Sequence, residues 1–200
     1  MRTIAAVPAE PTLVMFSGLP GTGKTTLASR LVEDTGWRLL AIDRLAEALP
    51  ADTDWSSVAL WDGMIEQLLG ATEEAVGAGE SVVVDSVFMD LDRFHAHQIA
   101  EQYGARFRPV HTFVSDEGLW RRRVTDRYLA SNPEDGVASW PRIQVQRLGF
   151  RPWEPGTALF VDSARPVNTN HAEVSSFAAD PDPGLAPLPP VPFTPGRYHR

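Results

Sequence analysis

An α/β fold with a parallel sheet covered by helices on both faces is predicted by three features of this sequence. Short apolar runs alternate with segments of helical periodicity. The runs are apolar at successive positions, the pattern of strands buried on both faces, whereas half-exposed strands alternate apolar and polar residues. Hydrophobic residues make up 43% of the 200, enough for one sizeable core. About five strands are expected.

The elements follow in order. Thr12 to Ser17 (TLVMFS) is the first buried strand, bounded by Pro11 and Gly18. A glycine-rich turn leads into a helix from Lys24 to Asp34, stopped by Gly36. Arg38 to Ile42 is the second strand and runs directly into Asp43. After a polar loop containing Pro50, Val58, Trp61, Ile65, Leu68, Leu69, Thr72 and Val76 recur at helical spacing until Gly77 and Gly79 end the pattern. Ser81 to Asp85 is the third strand, Asp90 to Tyr103 a helix, and Pro109 to Val114 the fourth strand. Ser115 stands at an N-cap position, with Asp116 and Glu117 in the first turn of a helix that carries Arg121, Arg122, Arg123 and Arg127. A helix from Ser139 to Leu148, a strand from Ala158 to Val161 and a helix from Asn168 to Phe177 complete the series. Residues 1–10 read as an extension, 11–178 as one domain with a lid over about 116–150, and 179–200 as a proline-rich tail without regular structure. Seven of the 17 prolines fall between Pro181 and Arg200, where they remove backbone donors.

Composition narrows the chemistry. With no cysteine, disulfides, thiolate metal sites and thiol nucleophiles are excluded. The net charge is −8, and the 20 residues from Pro181, with two arginines and one aspartate, leave −9 on the remainder. Such a balance disfavours nucleic acid and anionic membrane as partners. No targeting or spanning segment is evident, so a cytoplasmic protein is expected. Of 18 basic residues only Lys24 is a lysine.

That lysine lies in Gly18-Leu-Pro-Gly-Thr-Gly-Lys-Thr25, which fits G-x-x-x-x-G-K-[ST] between a predicted strand and a predicted helix. Glycines here allow positive φ, so that successive N–H groups turn inward as an anion nest at the positive end of the next helix. A P-loop NTPase of nucleoside-kinase-like type, binding ATP or GTP with Mg²⁺, is therefore expected. Gly18, Gly21, Thr22, Gly23, Lys24, Thr25 and Thr26 are its candidate nucleotide residues, with Thr25 as a metal ligand. Asp85, ending a Val-Val-Val strand, is the second candidate for the metal shell. The loop Ser163 to Asn168, with Arg165, is the expected place for the base.

A kinase also needs a base for the acceptor hydroxyl and cations over the moving phosphate. Asp43 opens on the same sheet edge as the phosphate loop and is the candidate base, the alternative being a cap for a short helix over Arg44 to Leu49. Arg123 and Arg127 share a helix face and are candidate lid cations. Acceptor walls are expected from Trp55, Trp61 and Phe88, near Asp43 and Asp85, although Trp61 also fits the core stripe of its helix. Asp52 or Asp54 would meet a cationic or polyol acceptor. His95 and His97, two apart on a helix, face away from each other and do not form a joint metal site.

The phosphate loop, Ile-Asp43-Arg-Leu-Ala-Glu-Ala-Leu-Pro50, Gly79-Glu-Ser-Val-Val-Val-Asp-Ser-Val-Phe88 and Arg123-x-x-x-Arg127 together resemble the chloramphenicol phosphotransferase-like proteins. These belong to a wider set of small AAA-type kinases that includes zeta toxins and polynucleotide 5′-kinases. The resemblance runs from Leu13 to Arg127 and more weakly to Asn168. It implies Asp43 as general base, Lys24 and Thr25 at phosphate and Mg²⁺, and Arg123 and Arg127 as the lid. The phosphate loop is more regular than that of the chloramphenicol enzyme, so its acceptor is not carried over. Position 46 is alanine where the polynucleotide kinases place an arginine. The expectation is a phosphotransferase acting on a hydroxyl of a small molecule such as an antibiotic. Alternatives are a sugar, nucleoside or polynucleotide 5′-hydroxyl kinase and, in another class, a nucleotide-dependent regulatory binding protein.

Overall fold

The computed structural model describes residues 10–50, 52–132 and 136–188. Among these the chain forms five strands and seven helices. They are β1 (Thr12–Ser17), α1 (Lys24–Thr35), β2 (Arg38–Ala41), α2 (Ile42–Ala46), α3 (Val58–Gly77), β3 (Val82–Asp85), α4 (Asp90–Gln102), β4 (Arg106–Phe113), α5 (Glu117–Ala130), α6 (Trp140–Gly149), β5 (Leu159–Asp162) and α7 (Val167–Ala179). All strand pairs are parallel, in the order β2-β3-β1-β4-β5. The expected α/β fold is present.

Period-two geometry explains why β1 is apolar throughout. Leu13 and Met15 join Val82 and Val84 in one core, under α3 and α4. Val14 and Phe16 face the other way with Val83, Val110 and Val161, under α1 and α7. Neither face meets water, so neither position parity is polar. A third cluster of Leu19, Trp120, Val124 and Ile143 forms where α5 and α6 cover the phosphate loop.

Local signals set most element ends. Gly36, at φ 69°, closes α1 by donating its N–H to Val32 O at 2.8 Å. Ser57 caps α3 by accepting from Leu60 N, and Pro141 fits the first turn of α6. Two expectations shift. The cap of α5 is Asp116, whose Oδ1 accepts from Leu119 N at 2.9 Å, not Ser115. β4 begins at Arg106, before Pro109, because β5 pairs with it only from Val110 onward and Pro109 lies where that side of β4 is still unpaired.

The last helix ends at Ala179, and residues 180–188 return across the body without regular structure. Arg108, itself buried, donates to the carbonyls of Asp180 and Pro181, and Ala186 N donates to Gly156 O at 2.9 Å. Residues 1–9 and 189–200, which hold most of the expected extension and tail, lie outside the described residues.

Candidate active site

Strand carboxyl ends gather the chemistry on one edge of the sheet. β1 ends in the phosphate loop, β2 leads to Asp43, β3 ends at Asp85, and the loop after β5 carries Ser163. The phosphate loop is held by its own backbone. Gly23 sits at the N-cap of α1 with φ 87°. Gly21 has φ 79°, and a Cβ there would lie 2.7 Å from Val124 of α5, so glycine is required both by conformation and by the helix overhead. Trp120 Nε1 donates to Pro20 O at 2.8 Å, tying α5 to the loop. Thr22 turns its hydroxyl inward to Leu19 O (2.7 Å) and Thr112 Oγ1 (2.8 Å), so its side chain braces the loop against β4. Thr26 is exposed on the first turn of α1.

Lys24 Nζ donates to Leu19 O at 3.3 Å. Thr25 Oγ1 donates to Asp85 Oδ2 at 2.6 Å, while Asp85 Oδ1 is buried without a hydrogen-bond partner. Two hard oxygen donors with an unsatisfied carboxylate oxygen suit Mg²⁺, so the expected pair fits the ion. Among the described residues there is no group of three or more His, Asp or Glu side chains that could hold a metal without such a hydroxyl. His97 lies 3.6 Å from Glu101 and packs edge-on against Phe107.

The two lid arginines divide. Arg123 grips the loop after β5, with Nη1 to Ser163 Oγ at 2.8 Å and Nη2 to Ser163 O at 3.0 Å. Arg127 crosses to the other side, where its Nη2 lies 3.3 Å from Asp43 Oδ2. Asp43 belongs to the first turn of α2, whose N-cap is Ala41. The capping alternative for Asp43 is therefore corrected: the helix begins before it, and its carboxylate faces Arg127. Arg165 turns along α7, with Nε to Asn170 Oδ1 at 2.9 Å and Nη2 to Glu173.

Between these groups opens a cavity of about 1060 Å³, reaching from Gly21, Lys24 and Thr25 past Asp43 and Asp85 to Trp55, Trp61 and Phe88. Every expected acceptor-wall residue lines it. Trp61 packs on the core and also lines the cavity. Phe88 is 1% exposed and takes φ 46°, a strained conformation for a bulky residue, in the turn that leaves Asp85. Val58, expected in the apolar stripe of its helix, is 72% exposed and lines the cavity, because α3 first packs on the core at Leu60 and Trp61 and is buried in it from Met64 onward. Asp52 and Asp54 do not line the cavity. Asp54 instead accepts from Ser56 N (2.9 Å) and Ser56 Oγ (2.6 Å) in a local turn, which corrects the expectation that either acid meets the acceptor.

A family described as an AAA domain matches residues 13–147. The chain belongs to this AAA-domain family. No curated protein matches it. Among solved structures, a putative kinase from Chloroflexus aurantiacus is 22% identical with a TM-score of 0.68, covering 84% of this chain and 98% of that one. The Mycobacterium tuberculosis APS kinase CysC, in complex with AMPPNP and APS, is 20% identical with a TM-score of 0.58, covering 85% and 98%. Chaetomium thermophilum Kti12, in complex with ADP-AlF3, is 16% identical with a TM-score of 0.63, covering 84% and 100%. At these identities the likeness is one of fold: the AAA domain has the P-loop kinase-like architecture.

Electrostatics of the AAA domain centre on the buried Lys24. Burial lowers its pKa, opposed by Asp85 and Asp43, and burial raises that of Asp85, opposed by Lys24 and the Thr25 hydroxyl. Each charge is thus costly alone and supported by the other. Beneath the loop, burial and then the charges of Arg93 and Lys24 lower His111 to about 4. Arg93 is 4% exposed, stacked between Phe150 and Trp153, and donates to Arg151 O at 2.8 Å. Sequence reasoning passed over Asp62, Asp92 and Arg142, which also line the cavity. Their only signal was position on the cavity side of α3, α4 and α6, which no local pattern reveals. No helix among the described residues is long and apolar enough to cross a membrane.

Proposed function

We propose that this AAA domain transfers the γ-phosphoryl group of ATP or GTP to a hydroxyl of a small molecule, an antibiotic or comparable secondary metabolite, as in the chloramphenicol phosphotransferase-like proteins it resembles. The observation that carries the reading is the single cavity joining the phosphate loop to an acceptor-sized, largely apolar chamber, with the Asp43 carboxylate on its wall. Asp43 takes the proton of the acceptor hydroxyl, the oxygen bonds to the γ-phosphorus, and the bond to the bridging oxygen breaks to release the nucleoside diphosphate. Lys24 and the loop N–H groups hold the phosphates. Thr25 and Asp85 would hold Mg²⁺, which would supply neutralisation of the triphosphate charge. Arg127, now on Asp43, is within the same chamber and supplies the mobile cation. Arg123 fixes the loop that flanks the base of the nucleotide.

Similarly folded proteins bear the names APS kinase, gluconokinase and sugar kinase, which supports phosphoryl transfer to a small acceptor as the class. Ala46 lines the chamber where a polynucleotide kinase would offer an arginine, and the acidic chain supports the small acceptor further. A panel of hydroxylated metabolites and antibiotics incubated with labelled ATP and GTP, followed by mass spectrometry, tests the proposal. One acceptor gaining a single phosphate is the expected result, and Asp43→Asn should lower that transfer about 10² to 10⁴-fold with nucleotide affinity retained. Acceptor-independent hydrolysis coupled to binding of a protein partner would favour the regulatory reading instead.

A further inference from the structure

The far end of the cavity has a chemistry of its own. Of the charged groups lining it, Lys24 lies beside Asp85, Arg127 beside Asp43 and Arg142 against the carbonyl of Trp55. Glu47 faces Arg44 at 3.2 Å. Asp62 of α3 and Asp92 of α4 remain. Asp92 Oδ2 accepts one backbone N–H, from Met89 at 2.7 Å, and no cation is paired with Asp62 among the described residues. Burial raises the pKa of Asp92 and the neighbouring Asp62 adds to the rise, while the Met89 N–H and the charges of His95 and Arg93 act against it.

Two acids alone select no ligand. Here they share one chamber with a tryptophan pair, Trp55 and Trp61, whose rings lie 5.8 Å apart at 46° and form an aromatic corner, with Gly136 against the Trp55 ring. Trp61 precedes Asp62 in the chain, and its Nε1 donates to Trp55 O at 3.2 Å, so the corner is fixed. Aromatic faces beside carboxylates are the surroundings that recognise an ammonium group, by attraction to the ring quadrupole as well as to the charge. Among the described residues lining the cavity, the cations Lys24, Arg127 and Arg142 each already have a partner.

We infer that the acceptor is an amino alcohol with an apolar body: its ammonium group is held by Asp62, Asp92 and the Trp55–Trp61 corner while its hydroxyl reaches Asp43. The inference rests on the phosphotransfer reading for the hydroxyl end only. Sugar phosphates, nucleotides and polynucleotides are then disfavoured as acceptors, because the carboxylates at this end repel their phosphates.

Binding to the full chain without nucleotide separates the two ideas. The probes are phenethylamine, an ammonium at neutral pH, and phenethyl alcohol, its neutral counterpart, titrated calorimetrically. The amine should bind at least about tenfold more tightly. Asp62→Asn, an exposed substitution, should remove most of that preference and leave the affinity for ATP unchanged. Asp92→Asn keeps an oxygen for Met89 N–H and should act in the same direction, with a thermal melt to confirm folding. Equal binding of the two probes, or a preference that survives both substitutions, overturns the inference. An Asp62-dependent preference without phosphorylation of any amino alcohol would reject the phosphotransfer reading alone. Transfer confined to neutral or anionic acceptors would reject the amino-alcohol assignment alone.

Discussion

The two ends of the cavity are made in different ways. The phosphate end is a contiguous stretch, Gly18 to Thr25, shaped by backbone conformation and clamped from outside by Trp120, Val124 and Thr112. The acceptor end is assembled from α2, α3, α4, α5 and α6, with side chains alone supplying its character. Backbone N–H groups recognise any triphosphate and leave little to vary. Side chains on helices and loops can change one at a time, so the lining of that end is free to diverge while the phosphate loop stays fixed.

Substitutions can break that contrast. Lys24→Ala should have the largest effect, lowering transfer by about 10³-fold or more by removing the one ammonium at the phosphates and leaving Asp85 buried without its counter-charge. Single-turnover rates would read it, and amine binding at the acceptor end should persist. Asp43→Asn comes next, and should lower turnover while the calorimetric affinity for nucleotide stays; a matching loss of nucleotide affinity would show that the two ends are not separable.

Stability responds at the phosphate end to pH. His111 sits under the loop, stacked near Phe113 and Phe150 and edge-on to Phe160. Its folded pKa of about 4 is below the ordinary 6.5, so the unfolded chain binds the extra proton first. Stability from this residue is complete above pH 6.5 and is lost as pH falls toward 4, on the order of 3 kcal/mol in all. Denaturant titrations across that window should show the slope in the parent protein and a flatter one in His111→Phe. The smallest expected effect is that of Gly21→Ala, which forces a side chain into positive φ and toward Val124, costing about 1–2 kcal/mol. A shift in the denaturant midpoint measures it. No shift would mean that α5 yields readily and that the phosphate end is less rigid than its contacts imply.

Legibility followed the same division. The strand–loop–helix of the phosphate site was readable because its signal is local: glycine spacing, one lysine and an apolar run before it. The core helices were readable from periodicity, though Val58 showed that a stripe can begin before its helix reaches the core. Asp43 was findable because a strand end in a parallel sheet has a known direction. Arg165, expected at the nucleotide, reaches from the loop before α7 to Asn170 and Glu173 in the first two turns of that helix, contacts that a loop motif does not announce. Asp52 and Asp54 were nearer in sequence to the tryptophans than Asp92, yet a local turn holds Asp54 away from the cavity.

By itself the sequence determined a parallel α/β sheet, a triphosphate loop and the acids at its edge, because each is encoded within a few residues by periodicity, glycine and charge. Only the tertiary structure decided the strand order, the parting of Arg123 from Arg127, and the meeting of Trp55, Trp61, Asp62 and Asp92 in one chamber. Those depend on how helices far apart in the chain pack over the sheet, and packing is a property of shape and burial that no single segment contains.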